Sequence, residues 1–324
     1  MLSVTLASMN APTSTLTIDC DFHFPQFAAS YLIVDEGEAA FIDNNTSQCV
    51  PLLLETLHGQ GLTNTDVKYV IITHVHLDHA GGTSQLMEAC PDAILLAHPK
   101  AARHMIDPSR LIAGVRAVYG DEVYDEVYGE IGAINANRVQ AVADYDTVTL
   151  GSRRLEFIHT RGHANHHMCI FDQATGDIFT GDAFGVAYPV LQNGQLFIYP
   201  TSSPTEFDGQ LAIEAIEKIV AKEPNRACLT HYGAVSDVAR AAEILKTDLQ
   251  EFERIVSTAR ALASEAEIQQ FCTEQMRLFF MRKLSEVGKH LTPELEDFLA
   301  IDITLNADGL AHQAVLRNSK SVKL

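Results

Sequence analysis

Four side chains of the kinds that bind metal ions fall within six consecutive residues, at positions 74 to 79. They follow a short apolar run rich in β-branched residues, Tyr69 to Ile72, which is typical of a buried strand. Zinc and similar divalent ions prefer imidazole nitrogens and carboxylate oxygens as ligands. Because residues two apart in an extended chain point the same way, the first two histidines can contact one ion, and the following turn can present the other pair to a second. The pattern predicts a metal centre at the end of this strand, built from His74, His76, Asp78 and His79.

The spacing His-x-His-x-Asp-His resembles the signature of the metallo-β-lactamase-fold hydrolases. The resemblance implies an α/β fold, an αββα sandwich with one or two metal ions along one edge. It also implies three more ligands in a fixed order: a histidine after a glycine, an aspartate after a glycine at a strand end, and a histidine that ends a late strand. Three residues fit these contexts in this order, namely His163, Asp182 and His231.

The same resemblance divides the ligands between two sites. It implies one metal ion held by His74, His76 and His163, another held by Asp78, His79 and His231, and Asp182 as a bridge. The branch that contains glyoxalase II, lactonases and thioesterases is the expected one. Quorum-sensing lactonases of this fold place a tyrosine three residues after the bridging aspartate. This chain has Gly185 there, so their particular mechanism is not expected.

Two divalent ions at such a site hold a shared water and lower its pKa towards about 7. The expected enzyme is therefore a dinuclear metal-dependent hydrolase in which a metal-bound hydroxide attacks a small ester, thioester or lactone. Asp78 and Asp182 are the expected catalytic carboxylates, because they balance the charge of the ions and either can carry the departing proton. Zinc is the expected metal, although the ligand types also suit iron and manganese.

Three other functions stay open on the sequence. A mono-iron persulfide dioxygenase-like oxidoreductase on the same fold keeps the histidines but binds a single metal ion. A phosphodiesterase would use a two-metal site on a phosphoryl group. A metal-bound regulatory or interaction protein would use its helical C-terminal part to bind a partner.

The 23 Lys and Arg residues against 42 Asp and Glu give a net charge of −19. Because so acidic a protein repels phosphate backbones and anionic lipid surfaces, we expect a small-molecule substrate, no nucleic-acid partner and no membrane partner. No apolar run approaches the ~20 residues that span a bilayer, and residues 1–17 lack the basic and apolar regions of a signal peptide. With six scattered cysteines, these features predict a cytoplasmic protein.

Strands that alternate with helices in the first hundred residues are typical of an α/β layer architecture. We predict a catalytic domain over residues 1–235, with residues 100–145 as a candidate cover over the site. Residues 236–324 carry long Ala- and Glu-rich helical patterns, which predict a helical extension and make a homodimer a reasonable expectation. Residues 302–306 are expected to form a short strand or turn, and a capping box over 203–206 predicts the start of a helix.

Five further residues are weaker candidates for substrate contact. Two follow the third ligand histidine closely, where one of them can contact substrate or orient a ligand. One lies in the loop before the first clear strand, and two are tyrosines whose hydroxyl can donate to a developing oxyanion. They are His166, His167, His23, Tyr188 and Tyr232. Asp43, which ends a predicted strand, is a candidate for orienting a ligand from behind.

Overall fold

Two mixed sheets pack face to face in the computed structural model, which describes residues 14–202 and 205–321. The first sheet has the spatial order β1 (Ser14–Asp19), β2 (Ala29–Asp35), β3 (Glu38–Ile42), β4 (Val67–Ile71), β5 (Ile94–Ala97), β6 (Val139–Ala141). The second runs β12 (Gly233–Val235), β11 (Arg226–Leu229), β10 (Asp177–Gly181), β9 (Met168–Asp172), β8 (Arg153–His159), β7 (Thr147–Leu150). Strands β3 to β6 are parallel to one another, as are β10 and β11, and the remaining neighbours are antiparallel.

Helices cover both outer faces of this pair of sheets. Those before the second sheet are α1 (Val50–Gly59), α2 (Leu77–Ala80), α3 (Thr83–Ala89), α4 (Pro99–Ile106), α5 (Ser109–Tyr119) and α6 (Asp121–Val123). The later ones are α7 (Gly209–Val220), α8 (Val238–Ala259), α9 (Glu265–Glu286), α10 (Pro293–Phe298) and α11 (Ala300–Ser321). Helices α1, α3 and α4 share an apolar cluster with the first sheet, while α7, α8, α9 and α11 share one with the second. The predicted αββα sandwich with C-terminal helices is confirmed.

Strand β2 shows why the sequence folds into these layers. Every residue of β2 is buried, because the strand is covered on both faces. Tyr31 and Ile33 belong to the apolar cluster between the two sheets, and Leu32 and Val34 to the cluster under the first helix layer. Alternate residues of a strand point to opposite faces, so one continuous apolar run serves two cores.

The C-terminal helices pack against the second sheet in one continuous apolar cluster, which crosses the predicted boundary at residue 235. Residues 302–306 lie inside helix α11, so the expectation of a strand or turn there was wrong. The physical reason is the helical spacing of Ile303, Ala307 and Leu310, which are buried on one face of the helix. The capping box at 203–206 includes residues 203 and 204, which lie outside the described residues; helix α7 begins at Gly209 and is capped by Asp208.

The carboxyl ends of the five strands that lead into the predicted ligands and Asp43 lie at the same edge of the sandwich. Strands β3 and β4 are parallel, β10 and β11 are parallel, and β8 runs the same way as β10 because both are antiparallel to β9. Loops at the carboxyl ends of such strands are the usual place for functional side chains in α/β proteins. Among the described residues, no helix combines the length and the apolar character that a membrane span needs.

We predict that Phe280→Ala, in α9, destabilises the whole chain rather than the helical part alone. Phe280 is fully buried, its ring meets the edge of Tyr199 at 4.9 Å, and both belong to the cluster that joins helices to sheet. The expected loss in the free energy of unfolding is about 3–5 kcal/mol. Denaturant unfolding followed by circular dichroism measures it.

Leu278→Ala is the matched control, because Leu278 lies on the same helix with 49% of its surface exposed. Its expected effect is within about 0.5 kcal/mol. Two separate transitions, with only the later helices shifted in the Phe280 variant, would contradict the prediction and support an independent extension.

Candidate metal centre

The first four predicted ligands are placed by a turn after strand β4. His74 lies in the loop that follows the strand, and His76 is the N-cap residue of α2 in extended conformation (φ −60°, ψ 145°). Asp78 and His79 then lie in the single turn of α2. This change from extended to helical backbone directs the two pairs of side chains differently, as the sequence spacing predicts.

The other three predicted ligands follow the carboxyl ends of β8, β10 and β11; they are His163, Asp182 and His231. Two of them follow glycines that no other residue could replace without strain. Gly162 has φ +127°, and a Cβ there would lie 2.3 Å from the backbone nitrogen of Ala212. Gly181 has φ +47°, and its Cβ would lie 2.6 Å from Thr73 Oγ1. The Gly-His and Gly-Asp contexts therefore have a packing cause, since the strand ends approach neighbouring backbone and side chains too closely for a Cβ.

The seven side chains form two adjacent groups. One contains His74, His76, His163 and Asp182, and the other contains Asp78, His79 and His231; within each group the candidate ligand atoms lie within 4.8 Å of one another. In the first group, His163 Nε2 and His76 Nδ1 are 3.0 Å apart. In the second, His231 Nε2 and Asp78 Oδ2 are 3.2 Å apart. The division is the one that the family resemblance implies.

Asp182 lies between the two groups. Its Oδ2 is 3.3 Å from His163 Nε2, in the first group. Its Oδ1 is 3.2 Å from His79 Nε2 and 3.6 Å from His231 Nε2, in the second. One carboxylate oxygen thus faces each group, which is the arrangement that a bridging ligand requires.

The electrostatics of the two groups differ. Burial, reinforced by the neighbouring imidazoles, lowers the pKa of His74 well below its ordinary value, and burial lowers the pKa of His163 to about 3 against the opposing effect of Asp182. For His79 burial acts in the same direction, but the carboxylates of Asp182, Asp78 and Asp43 outweigh it and raise the pKa well above its ordinary value. The second group is therefore a place where carboxylates attract positive charge.

The residues present fit a pair of divalent ions. Among the described residues, His74 Nε2, His79 Nε2 and Asp182 Oδ1 are buried atoms without a hydrogen-bond partner, and all three belong to these groups. Buried polar atoms are nearly always paired, so unpaired atoms that converge on one spot indicate a site for a cation. The donor set, five imidazoles and two carboxylates, is the kind that zinc, iron and manganese accept.

Outer contacts hold the ligand rings in position. Asp43 Oδ2 lies 2.8 Å from His79 Nδ1, and its carboxylate also accepts from Thr73 N at 2.8 Å and Thr230 Oγ1 at 2.9 Å. His231 Nδ1 donates to Phe27 O at 2.9 Å. In both rings the Nδ1 atom is occupied, so Nε2 is left to face the centre.

A cavity of about 750 Å³ opens onto the two groups. Its wall comes from the loop between β1 and β2, the candidate cover at 100–145, residues within 186–202 and 205–206, and the first two turns of α11. The apolar part of this wall is contributed by Phe22, Phe27, Leu111, Val115, Ile301 and Leu305. A cavity of this size, mostly apolar with a few polar groups, is typical of a small-molecule site.

The weaker substrate predictions divide into two sets. His23, His166 and Tyr188 lie in the cavity wall. His167 and Tyr232 are not among the described residues of that wall. His167 is fully buried behind the centre, where its Nε2 accepts from Asp182 N at 3.2 Å. Tyr232 is half-buried outside the cavity, because the chain turns away after His231.

Sequence reasoning missed several residues of the site. Thr201 Oγ1 lies 2.9 Å from His163 Nδ1, and no pattern around residue 201 indicates this. Glu206 accepts from Asn165 N at 2.8 Å and lines the cavity beside His166. Asp302, in α11, also lines it. A signal existed for Asp302, since Asp302 and Asn306 interrupt the buried stripe of an otherwise apolar helix face at helical spacing.

Comparison with known proteins shows the family of this chain. The model of the metallo-beta-lactamase superfamily matches residues 24–231, more than half of the chain and all seven predicted ligands. The chain belongs to the metallo-beta-lactamase superfamily.

Individual relatives are distant. The metallo-beta-lactamase fold-containing protein ST1585 of Sulfurisphaera tokodaii is 27% identical over 216 residues, 66% of this chain and 76% of that protein. A cytoplasmic hydroxyacylglutathione hydrolase of Arabidopsis thaliana is 28% identical over 171 residues, 51% of this chain and 53% of its own length. The crystal structure of a metallo-beta-lactamase family protein of Thermus thermophilus has a TM-score of 0.65 at 18% identity and covers 94% of each chain, which shows the shared fold.

We predict that Asp43→Asn weakens zinc binding by about 10- to 100-fold, because the amide no longer fixes and polarises the His79 ring as a carboxylate does. Competition with a chromophoric chelator measures the affinity. Asp177→Asn is the matched control: Asp177 is equally buried, lies at the opposite end of β10 from Asp182, and pairs with Arg226 instead. Equal zinc affinities in the two variants would contradict the prediction.

We also predict a pH-dependent stability difference between the wild type and Asp302→Asn. Burial raises the pKa of Asp302 from 3.8 to about 6. The folded chain therefore binds this proton more tightly than the unfolded chain, so the contribution to stability is present below about pH 4 and is lost as the pH rises through about 6. Relative to the variant, the free energy of unfolding of the wild type should fall by up to about 3 kcal/mol between about pH 4 and 7. Denaturant unfolding at both pH values measures it, and a constant difference would contradict it.

Proposed function

We propose that the chain is a dinuclear metal-dependent hydrolase that acts on a small ester, thioester or lactone. The observation that carries the proposal is the pair of adjacent ligand groups with Asp182 facing both. When bound there, two divalent ions supply Lewis acidity for a carbonyl oxygen and lower the pKa of a water towards about 7. Zinc is the proposed metal, because imidazoles dominate the donor set.

The protein's own residues have separate tasks in this proposal. Asp43 and the Phe27 carbonyl orient the rings of His79 and His231, and Asp182 supplies negative charge between the two groups. The side chain of Asp78 is 26% exposed, against 7% for Asp182. Asp78 is therefore the carboxylate placed to carry a proton between the centre and the solvent.

The cavity supports an acyl substrate with substantial hydrocarbon character. Its apolar wall removes such a group from water, which contributes about 25 cal/mol per Å² of apolar surface buried. His166 and Tyr188 are the proposed polar contacts. Burial, together with nearby imidazoles, lowers the pKa of His166 to about 2, so its ring is neutral and can either donate or accept. The relative from Arabidopsis thaliana, a hydroxyacylglutathione hydrolase, also supports hydrolysis of an acyl compound.

The completeness of the second ligand group favours this proposal over chemistry at a single iron. A one-metal enzyme needs the first group alone, and the carboxylate of Asp78 would then depend on protons on His79 and His231 for compensation instead of on a second metal ion. Charged and imidazole groups gathered at one buried place are costly without one.

We predict that purified wild-type protein contains close to two equivalents of divalent metal and hydrolyses phenyl thioesters or lactones. Asp182→Asn should lose at least about 100-fold in kcat/KM and part of its metal content, because one bridging charge is gone. Inductively coupled plasma mass spectrometry measures the metal content, and release of the free thiol measures thioester hydrolysis. His58→Gln is the control, since His58 is exposed and pairs only with Asn64 among the contacts described for it. One equivalent of iron without hydrolysis would refute the proposal.

A further inference from the structure

Helix α11 places a buried carboxyl group in the wall of the cavity. Asp302, in the first turn of α11, lines the cavity with only 7% of its surface exposed. It belongs to neither of the two ligand groups found among the described residues. An acidic residue at such a depth is rare unless it is paired, so its partners decide what it does.

The partners present satisfy only one of its two oxygens. Tyr199 Oη donates to Asp302 Oδ1 at 2.9 Å, and Tyr188 Oη donates to the same oxygen at 3.5 Å. Asp302 Oδ2 is buried and has no hydrogen-bond partner among the described residues. Leaving a buried carboxylate oxygen unpaired costs the desolvation of that oxygen without a compensating bond. Because terminal carboxyl torsions are broad, a small rotation presents this oxygen to the cavity.

The described cavity wall offers no buried lysine or arginine to complete the pairing. Arg110 is the one Lys or Arg in the described part of the cavity wall, and it is exposed to solvent. The neighbouring surface is aromatic: the ring of Tyr188 stacks on Phe27 with centroids 5.3 Å apart. Phe27 in turn meets the edge of the His231 ring at 5.3 Å. The unpaired carboxyl thus lies two aromatic rings away from the second ligand group, within reach of the same small molecule.

We propose that Asp302 is a specificity residue that binds a hydrogen-bond donor, a hydroxyl or an ammonium group, on a substrate whose reactive carbonyl lies at the metal centre. The inference rests on the proposed function for the carbonyl, but the donor site stands on its own contacts. It narrows the substrate class to esters, thioesters or lactones that carry such a donor next to an apolar body. Aromatic faces beside the carboxyl suit an ammonium group in particular.

Binding of three matched probes tests the proposal without relying on turnover. Phenylpropylamine, phenylpropanol and phenylpropyl methyl ether share an apolar body, and only the ether lacks a donor. Isothermal titration calorimetry on the protein with its native metal content should give an affinity for the amine about 10- to 100-fold above that for the ether. A preference for the amine alone identifies an ammonium site, and equal preference for the alcohol identifies a hydroxyl site; both support the proposal.

Three variants test whether Asp302 causes the preference for probes that carry a hydrogen-bond donor. Asp302→Leu should abolish it, and Asp302→Asn should abolish at least the preference for the amine. Asp308→Asn should keep it, because Asp308 lies on the same helix outside the described cavity wall and its carboxylate already accepts from Gln269 Nε2. Circular dichroism establishes that each variant is folded. Equal affinity of the wild type for amine and ether refutes the proposal, as does a preference that survives in folded Asp302→Leu or disappears in folded Asp308→Asn.

The wild-type comparison alone decides the outcome if the Asp302 variants do not fold. Failure of the hydrolase proposal is distinguishable, since it appears as absent thioester and lactone hydrolysis while the probe preference persists. The converse result, hydrolysis without any preference among the probes, leaves the hydrolase and removes the donor site.

Discussion

The structure depends on the electrostatic balance at one edge of the sandwich. Asp43, Asp78 and Asp182 lie against the imidazoles of His79 and His231, and Asp43, Asp182 and both histidines are buried. Such a group of carboxylates is stable only with compensating positive charge, which protons on the two histidines or divalent cations can supply. The raised pKa of His79, which its three carboxylate neighbours cause against the effect of burial, expresses this requirement directly.

The sandwich is what allows these charges to be gathered from distant parts of the sequence. Five strands end at the same edge, and each contributes a side chain from the loop that follows it. At Gly162 and Gly181 the backbone lies so close to neighbouring residues that there is no room for a Cβ. Metal chemistry and core packing therefore share the same backbone positions, and a change at either glycine would disturb both.

The ligands could be predicted from sequence because their signals are local. The pair His74 and His76 follows a recognisable strand, and Gly-His and Gly-Asp mark strand ends that need a residue without a side chain. The cavity wall could not be predicted in this way. Thr201 and Glu206 reach the site through loop geometry, and Asp302 reaches it through the packing of α9 and α11 on the second sheet, which depends on contacts between residues far apart in the sequence. The position of Tyr232 outside the described cavity wall has the same cause, because the direction of the chain after a strand end is set by tertiary packing.

The C-terminal helices thus have two consequences that follow from one arrangement. They bury the outer face of the second sheet. The same packing brings the first turn of α11 into the wall of the cavity that opens onto the two ligand groups. A residue there that served packing alone would be apolar, like Ile303 and Leu310 on the same helix. Asp302 instead carries a carboxyl with an unpaired oxygen, and Asn306 one turn later accepts from Ser202 N at 2.8 Å to fix the helix against the cavity wall. An unpaired buried carboxyl lowers the stability of the fold. Selection would keep such a residue beside a reactive centre if it recognises a polar group of the substrate.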